Sequence, residues 1–387
     1  MTGASQPAEV YLDHGATAPL DPRVKAAMDA YLASGAGNPH SSENRAGWRA
    51  AEALDRARRS VAGLIGARPE CIVFTSGATE ADNLAILGLA AALEDQSTPH
   101  HALYSAIEHP AVRAPMGVLR GRGWRVEEIP VRPDGLVDPS EVERRIGPAT
   151  RLVSVMAANN EIGTLQPLAE IAAICRSRGA IFHSDAAQCV GRLPLDVGEV
   201  GCDLMSISAH KFHGPMGIGA LFIAPGVLLA PIVHGGAQER GLRAGSVPVM
   251  LAVGFAAAAE IAQREMEREA RRLAEYRDRF LQGLRRADPG LVVNGTLEAR
   301  LPGNLNVRLP GLQAEALLAE VPGLILSTGA ACASGRQEPS PVLRALGLSP
   351  EDIAASLRIG LGRFTTAAEV EFAVARLASA IARLKSS

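Results

Sequence analysis

The stretch CIVFTSGATEADNLAILGLAAAL, residues 71–93, carries the pattern on which the predicted fold rests. Its start, CIVFT (71–75), is a short apolar run typical of a strand, and residues 78–93 have the length and apolar content of a helix. The alternation recurs, with apolar runs at 101–106, 151–157, 180–186, 203–209 and 219–224 and helical patterns from residue 110 and at 168–179. It predicts an α/β fold with a mainly parallel sheet covered by helices on both faces.

A second, smaller domain is predicted after residue 250, where the alternation stops. A helical pattern covers about residues 249–286, with apolar residues spaced three and four apart, and Asp288-Pro289-Gly290 ends it. The remainder mixes short strands and helices, as an α+β domain does. We expect a large domain over residues 17–262, and a small domain formed by residues 1–16 together with residues 263–387.

Composition excludes several classes of protein. The 387 residues include 47% hydrophobic and 21% charged residues with a formal net charge of −2, so no basic field indicates nucleic acid or an anionic membrane. No apolar run approaches a membrane span, and the first ten residues lack a signal-peptide pattern, which favours the cytoplasm. The five cysteines form no C-x-x-C pair, so burial rather than a disulfide or zinc site is the default expectation for a cysteine of this chain.

Lysine is scarce, and one lysine occupies an unusual place. Of the 39 basic residues only Lys25, Lys211 and Lys385 are lysines. Lys211 alone lies inside the predicted body, in SAHKFHGP (208–215), directly after a predicted strand. Arginine cannot replace a lysine whose amine must lose its proton and form a carbon–nitrogen double bond. The alternative is that a general arginine bias left three lysines at random.

Two further motifs follow predicted strands. TSGATE (75–80) opens a helix, so the N–H groups of Ala78 and Thr79 with the Thr79 hydroxyl would face an anion such as a single phosphate; the alternative is an ordinary capping box. HSDAAQ (183–188) puts Asp185 at a strand end, where a pyridinium nitrogen is a suitable partner, and Gln188 could reach the same ring; the alternative is a helix N-cap. Together with Lys211, these motifs predict pyridoxal phosphate bound to a Schiff-base lysine.

Polar residues also follow two other predicted strands. His109, in EHPAV (108–112), could stack on a ring and move protons near neutral pH, or it could be a capping or core histidine. NNEIGT (159–164) places Asn159, Asn160 and Glu161 after the run at residues 151–157. The carboxyl ends of strands in such sheets are where ligands bind.

In these residues and their motifs, the chain resembles the cysteine desulfurases of the NifS/IscS type. These are class V aminotransferase-like, fold-type I pyridoxal phosphate enzymes. The resemblance runs from YLDHGATAPL at Tyr11 to LGRFTT at Leu361. It includes GNPHS, FTSGATE, NNEIG, SAHKFHGPMGIGAL, HGGAQERGLRAGS and PSPVLRALGL. It implies a seven-stranded sheet in the large domain, a homodimer and a cytoplasmic enzyme that releases L-alanine from L-cysteine.

The resemblance also implies site residues. Lys211 would be the Schiff-base lysine, Asp185 would hold the pyridinium proton, and His109 would stack on the ring and act as acid and base. Arg358 would bind the substrate carboxylate with Asn38 near it. The remaining cofactor contacts would be Gln188 and Asn160 at the ring oxygen, Ala78, Thr79, Ser208 and His210 at the phosphate, and Ser246 at the phosphate of the partner subunit.

Cys332, in STGAACASG, is the implied nucleophile. Small residues and glycines surround it, so it is expected in an exposed loop, where its thiolate would attack the substrate sulfur and become a persulfide. The sulfur would pass to an acceptor such as an iron–sulfur scaffold or a thiolation pathway. The chain ends directly after its last predicted helix, where housekeeping relatives carry a scaffold-docking tail, so the acceptor stays open.

Three alternatives remain at this point. One is a selenocysteine lyase or another class V aminotransferase-like enzyme with the same cofactor. Another is a catalytically inactive sulfur carrier, which the presence of lysine, aspartate and cysteine disfavours. The third is a metal-dependent hydrolase that would use His183, Asp185, His210 and His213, of which the last two are three residues apart and poorly placed for two metal bonds.

Overall fold

The computed structural model describes residues 9–35, 37–93, 100–328 and 339–386. Within them, a short first strand, β1 (Val10–Tyr11), precedes the seven strands of the central sheet. These are β2 (Ile72–Thr75), β3 (His101–Ser105), β4 (Arg125–Ile129), β5 (Thr150–Ser154), β6 (Ile181–Asp185), β7 (Leu204–Ser208) and β8 (Gly219–Ile223). Their spatial order is β2-β8-β7-β6-β5-β3-β4, and β8 alone among them runs antiparallel to its neighbours. The predicted, mainly parallel seven-stranded sheet is confirmed.

Strand β4 is the element of this sheet that no apolar run marks. It pairs only with β3, at the edge of the sheet, and four of its five side chains are half-buried or exposed. Its sequence, RVEEI, therefore carries charges that a central strand could not bury. The runs predicted at the other six strands begin within one residue of the observed strands, and they also end within one residue except at β5, where the run continues three residues further.

Helices cover the sheet and connect its strands. They are α1 (Pro22–Ala33), α2 (Arg45–Leu64), α3 (Ala78–Ala92), α4 (Pro110–Gly121), α5 (Pro139–Arg145), α6 (Leu168–Ser177) and α7 (Val197–Val200). Three of them, α1, α4 and α5, begin with a proline behind a capping side chain, which satisfies the free N–H groups of the first turn. None of the helices in the described ranges combines the length and the apolar character needed to cross a bilayer.

The long helix α8 (Val249–Ala287) matches the prediction for residues 249–286 and leads into a second set of strands. These are β9 (Val292–Val293), β10 (Asn304–Arg308), β11 (Leu324–Ile325), β12 (Ser327–Thr328) and β13 (Ser356–Gly360). They form an antiparallel sheet in the order β12-β13-β10-β9 and a parallel pair of β1 with β11. Four helices accompany them: α9 (Ala314–Ala319), α10 (Pro341–Ala345), α11 (Pro350–Ala354) and α12 (Ala367–Ser386).

Two hydrophobic clusters support the predicted division of the chain, which stays a prediction. One cluster packs around the central sheet and includes the first part of α8 up to Ala262. The other joins Val10 and Leu12 of the N-terminal segment to the second part of α8, from Leu273, and to α12. The four cysteines Cys71, Cys175, Cys189 and Cys202 are buried, as predicted, and Cys332 lies outside the described residues.

The outer edge of β2 is covered by a buried ion pair instead of another strand. Arg58 of α2 donates two hydrogen bonds to Glu239, from Nη2 to Oε1 at 2.6 Å and from Nη1 to Oε2 at 2.8 Å. Glu239 Oε2 also accepts from the Phe74 N–H at 2.7 Å, and Arg58 Nη1 donates to the Ile72 carbonyl at 2.8 Å. The pair thus satisfies edge groups that would otherwise be open to another chain. Glu239 and Arg240 hold left-handed backbone with φ of 46° and 60°.

We expect Glu239→Ala to lower the free energy of unfolding by about 3–5 kcal/mol, because it leaves the Arg58 charge buried and unpaired. The matched control is Glu52→Ala, since Glu52 pairs with Arg56 at 3.1 Å while both side chains are more than half exposed. That change should cost less than about 0.5 kcal/mol. Chemical denaturation of both variants measures the difference, and equal losses would contradict the proposed edge cover.

Candidate active site

The predicted site residues gather at one edge of the central sheet. Parallel strands end on the same side, so the segments after β2, β3, β5, β6 and β7 all leave the sheet there. Asp185 ends β6, and Lys211 lies in a short 3-10 turn, Ala209–Phe212, that follows β7. His109 is the N-cap of α4, after β3. The charges of Asp185 and Lys211 shift the pKa of His109, the charge of His109 shifts that of Asp185, and the charge of Asp185 shifts that of Lys211. The three groups are therefore close neighbours.

The environment of the Lys211 side chain favours the neutral, nucleophilic form of its amine. Its Nζ donates to the carbonyls of Gly15 at 3.0 Å and Ala16 at 2.7 Å, which belong to the loop after β1. Burial, together with the positive charges of Arg192 and Arg358, lowers the pKa of Lys211 from 10.5 to about 8. A substantial fraction of this amine is therefore neutral near physiological pH.

Arg192 is a site residue that the sequence did not reveal. Its Nε and Nη2 donate to the Lys211 carbonyl at 3.0 and 2.7 Å, and Nη2 also donates to the His14 carbonyl at 2.7 Å. The guanidinium thus ties the backbone of Lys211 to the loop whose carbonyls hold the Lys211 amine. No sequence signal distinguishes it, because arginine is the usual cation of this chain.

Asp185 is 5% exposed and sits in a strongly perturbed environment. Its Oδ1 accepts from the Ala187 N–H at 2.9 Å, and no hydrogen bond from the described residues reaches its second oxygen. Burial raises the pKa of Asp185 to about 6, the charge of Asp82 adds to that rise, and His109 opposes it. The alternative of a helix N-cap is not what the structure shows, because a turn rather than a helix follows β6.

His109 is a helix-capping residue, and its predicted stacking on a ring and proton transfer stay predictions. Its Nδ1 accepts from the Ala111 N–H at 3.1 Å, as a capping residue does, while the residue is exposed at the sheet edge. Desolvation by the surrounding protein lowers the pKa of His109, Asp185 opposes this, and Lys211 adds to it. Its Nε2 is left for another partner.

Gln188 and Asn160 present polar groups to the same edge. Gln188 Nε2 donates to the Gly15 carbonyl at 2.8 Å, while its Oε1 is buried without a partner among the described residues. Asn159 is fully buried and structural, since its Oδ1 accepts from the N–H groups of Glu161 and Ile162. Asn160 is only half-buried, and its carbonyl accepts from Arg358 Nη1 at 3.3 Å.

The predicted phosphate contacts lie at the start of α3 and at the end of β7. Ala78 and Thr79 are the first residues of α3 after the N-cap Gly77, and the Ser76 N–H, one residue before that cap, donates to Glu80 Oε2 at 2.8 Å. Ser208 ends β7 and is buried. The remaining contact, His210, has Nδ1 3.0 Å from the Thr17 hydroxyl, and burial lowers the pKa of His210 to about 4, so it is neutral at pH 7.

Ser246 is exposed on the loop that precedes α8. Arg243 of that loop donates from Nε to Glu80 Oε1 at 2.8 Å, which anchors the loop to the first turn of α3. The predicted contact of Ser246 with a partner subunit stays a prediction.

Arg358, on β13, is already paired. Its Nη2 donates to Asp13 Oδ1 at 2.8 Å and to the Ser327 hydroxyl at 3.1 Å, while its buried Nε has no partner among the described residues. The motif YLDHGATAPL contains Asp13, but only the folded chain shows that Asp13 meets an arginine 345 positions away. Asn38 is exposed, accepts from the His40 N–H, and makes no hydrogen bond with Arg358.

The four residues of the metal-site alternative do not converge. His183 bonds with serine hydroxyls inside the sheet, His210 with Thr17, and His213 Nδ1 with the Pro19 carbonyl at 2.8 Å. Across the described stretches of chain, no three His, Cys, Asp or Glu side chains gather in a way that could hold a metal ion. The geometry thus gives the hydrolase alternative no support.

Comparison with known proteins supplies the family. Residues 10–372 match the model of the family described as aminotransferase class-V. The chain is 46% identical over 379 residues to a human cysteine desulfurase, covering 97% of this chain and 82% of the relative. It is 43% identical over 378 residues to the cysteine desulfurase IscS of Rickettsia typhi, covering 97% and 92%.

Solved structures agree with this. One described as a NifS-like protein superposes with a TM-score of 0.89 at 34% identity, covering 97% of this chain and 100% of the other. DndA from Streptomyces lividans superposes with a TM-score of 0.77 at 38% identity, covering 91% and 99%.

Proposed function

The chain belongs to the aminotransferase class-V family and, within it, to the cysteine desulfurases, and from this membership we propose that it removes sulfur from L-cysteine and releases L-alanine, with pyridoxal phosphate as its cofactor. The observation that carries the proposal is the meeting of Lys211, Asp185 and His109 at one sheet edge, with a lysine whose pKa is lowered to about 8.

The residues at the sheet edge fit this cofactor. A carboxylate with a free oxygen, Asp185, suits a protonated ring nitrogen, and the unpartnered Oε1 of Gln188 suits the ring hydroxyl. The first N–H groups of α3, at Ala78 and Thr79, suit a phosphate because they lie at the positive end of a 15-residue helix. Bound there, pyridoxal phosphate would supply an electron sink that stabilises negative charge on the substrate carbon.

The chain's own residues divide the work. Lys211 would bond covalently to the cofactor aldehyde and, once displaced by the substrate amine, move a proton at the substrate Cα. Asp185 would accept the hydrogen bond of the ring N–H. His109, whose lowered pKa keeps it neutral near pH 7, would take a proton from the incoming substrate at Nε2.

Arg358 would orient the substrate carboxylate. Asp13 and Ser327 hold its Nη2, so the guanidinium plane is fixed, and its unpartnered Nε is the donor left for a carboxylate oxygen. Asn38 stays a predicted substrate contact, although its own turn holds its side-chain oxygen.

Cys332 would be the sulfur acceptor on the enzyme. Its thiolate would attack the substrate Sγ, the Cβ–Sγ bond would break with its electron pair left on carbon, and protonation of that carbon would give alanine. Cys332 lies outside the described residues, but the residues that flank its segment support this role. Ser327 contacts Arg358, and Ser340 donates to the buried Glu161, next to Asn160.

The sulfur acceptor and the oligomeric state of the protein are also proposals. We propose a homodimer in which Ser246 reaches the phosphate of the partner subunit, supported by the exposure of Ser246 on a loop anchored to α3. The persulfide would pass to a protein acceptor such as an iron–sulfur scaffold. The cytoplasmic location stays a prediction.

The test is product formation from L-cysteine in the presence of dithiothreitol. We expect Cys332→Ala to lower sulfide and alanine formation at least about 100-fold while cofactor binding is unchanged. The remaining activity would come from attack by the added thiol. The matched control is Cys175→Ala, because burial raises the pKa of the Cys175 thiol to about 12 and keeps it un-ionised. The control should keep its activity.

Other outcomes would overturn parts of the proposal. Full activity in Cys332→Ala would exclude the persulfide step. Turnover of selenocysteine with cysteine inert would indicate a selenocysteine lyase of the same family, and a keto-acid requirement would indicate an aminotransferase.

A further inference from the structure

A second layer of buried polar groups lies directly beneath Asp185. Asp82 of α3 and His183 of β6 are both 0% exposed, and His183 Nε2 lies 3.4 Å from Asp82 Oδ1. His183 precedes Asp185 by two residues on one strand, so both side chains emerge on the same face. Neither oxygen of Asp82 accepts a hydrogen bond of normal geometry from the described residues. Burying a carboxylate in this way lowers the stability of the fold, so a contribution to stability does not by itself explain the presence of Asp82.

The imidazole of His183 is held in a fixed orientation beside the Asp82 carboxylate. Its Nδ1 lies 2.8 Å from the Ser154 hydroxyl of β5, and its Nε2 lies 3.0 Å from the Ser206 hydroxyl of β7. Burial lowers the pKa of His183 to about 4, so the ring is neutral at pH 7 and has one N–H to donate. It therefore joins Asp82 to the strand that ends in Asp185 without adding a positive charge.

Among the described residues, the charges that face Asp82 are few, and none of them is a permanent cation. They are His183 and Asp185 on β6 and Glu108 after β3, with the Ser206 hydroxyl on β7. Burial raises the pKa of Asp82 to about 7, and the Ser206 hydroxyl opposes that rise. Glu108 is fully buried, its Oε1 accepts from the Met156 N–H at 2.7 Å, and burial raises its pKa well above 4.5. Asp82 has a pKa near 7, and Asp185 above it has a pKa of about 6, so the two carboxyl groups titrate in neighbouring pH ranges.

The structure assigns Asp82 and His183 as positioning residues for Asp185: they set how firmly Asp185 and the cofactor ring nitrogen hold the proton they share. The physical reason is that a negative charge on Asp82, in a poorly polarisable interior, favours a proton on the neighbouring pair. Ionised Asp82 strengthens the hold on the proton, and protonated Asp82 weakens it. The inference rests on the proposed cofactor, and it adds two residues that no motif of the site contains.

The test compares two cofactor rings on the full chain stripped of cofactor. One is pyridoxal phosphate, and the other is its carbocyclic analogue, in which C–H replaces the ring nitrogen. The ratio of their dissociation constants measures how much the protein favours a ring that can be protonated. We expect Asp82→Asn to lower this preference about tenfold at alkaline pH, which corresponds to one unit in the pKa of the shared proton.

The pH profile separates this role from a structural one. Asp82 loses its proton as pH rises through about 7, so wild type and Asp82→Asn should agree below that pH and diverge above it. In His183→Asn the amide keeps a polar group beside Ser154, but no atom occupies the position of Nε2. Asp82 therefore loses the hydrogen-bond donor that faces it and should stay protonated. That variant should also lower the preference for pyridoxal phosphate over its carbocyclic analogue. It tests the inference if Asp82→Asn does not fold.

The control is Asp288→Asn, a buried carboxylate at the far end of α8 that is paired with Lys385 at 2.7 Å. It should leave the preference unchanged at every pH. An unchanged preference in Asp82→Asn and His183→Asn, or a wild type that binds both rings equally, would overturn the inference. Failure of the wild type to bind pyridoxal phosphate at all would instead overturn the proposed function.

Discussion

Lys211→Arg should lower turnover of L-cysteine at least about 10⁴-fold, the largest effect that we expect from any single substitution in this chain. Arginine keeps the positive charge and most of the length, but its guanidinium does not deprotonate and cannot form a carbon–nitrogen double bond with an aldehyde. The matched control is Lys25→Arg. Lys25 is an exposed residue of α1 that pairs with Asp29 at 2.6 Å, and its replacement should leave turnover unchanged.

A second measurement on Lys211 follows from its environment. Burial lowers its pKa from 10.5 to about 8, so the neutral amine becomes the main form once pH exceeds about 8. The rate at which the chain combines covalently with pyridoxal phosphate, trapped by reduction, should therefore rise with pH and level off above about 8. A rate that keeps rising toward 10.5 would show that the amine is not perturbed, and activity retained in Lys211→Arg would exclude its covalent role.

Asp185→Asn should lower kcat by about 10²–10³-fold, because the amide offers no negative charge to a protonated ring nitrogen. The loss should appear mainly in kcat, since Arg358 and the other proposed substrate contacts are unchanged. Cofactor affinity should also lose its pH dependence. In the wild type, Asp185 becomes protonated as pH falls through about 6, and affinity should fall with it. Steady-state kinetics and cofactor titration at several pH values measure both effects.

Asp203→Asn is the matched control for that prediction. Asp203 directly precedes the neighbouring strand β7, at the opposite edge of the sheet from Asp185, where its Oδ2 accepts from the Phe182 N–H of β6 at 2.8 Å. Its replacement removes one charge from the sheet but none from the site, so kcat should stay within about twofold of wild type. A comparable loss in both variants would mean that the effect of Asp185→Asn reflects the stability of the sheet.

The site was largely predictable because its residues obey a local rule. Asp185 lies near the end of an apolar run, and Lys211 and His109 follow such runs, each of which indicates a strand. Parallel strands end at one edge, so a position relative to a strand becomes a position in space. The edge strand β4 escaped prediction for the opposite reason, because its half-exposed residues need no apolar run.

The sequence by itself determined the α/β class, the long helix after residue 248, the burial of four cysteines and the identity of the polar groups at the sheet edge. Only the tertiary structure decided which distant side chains meet: Asp13 with Arg358, Arg192 with the Lys211 carbonyl, Arg58 with Glu239, and Asp82 with His183. The physical reason is that hydrophobic periodicity is a property of neighbours along the chain, whereas a buried ion pair depends on how whole elements pack. Nothing in the local pattern around one partner specifies the other.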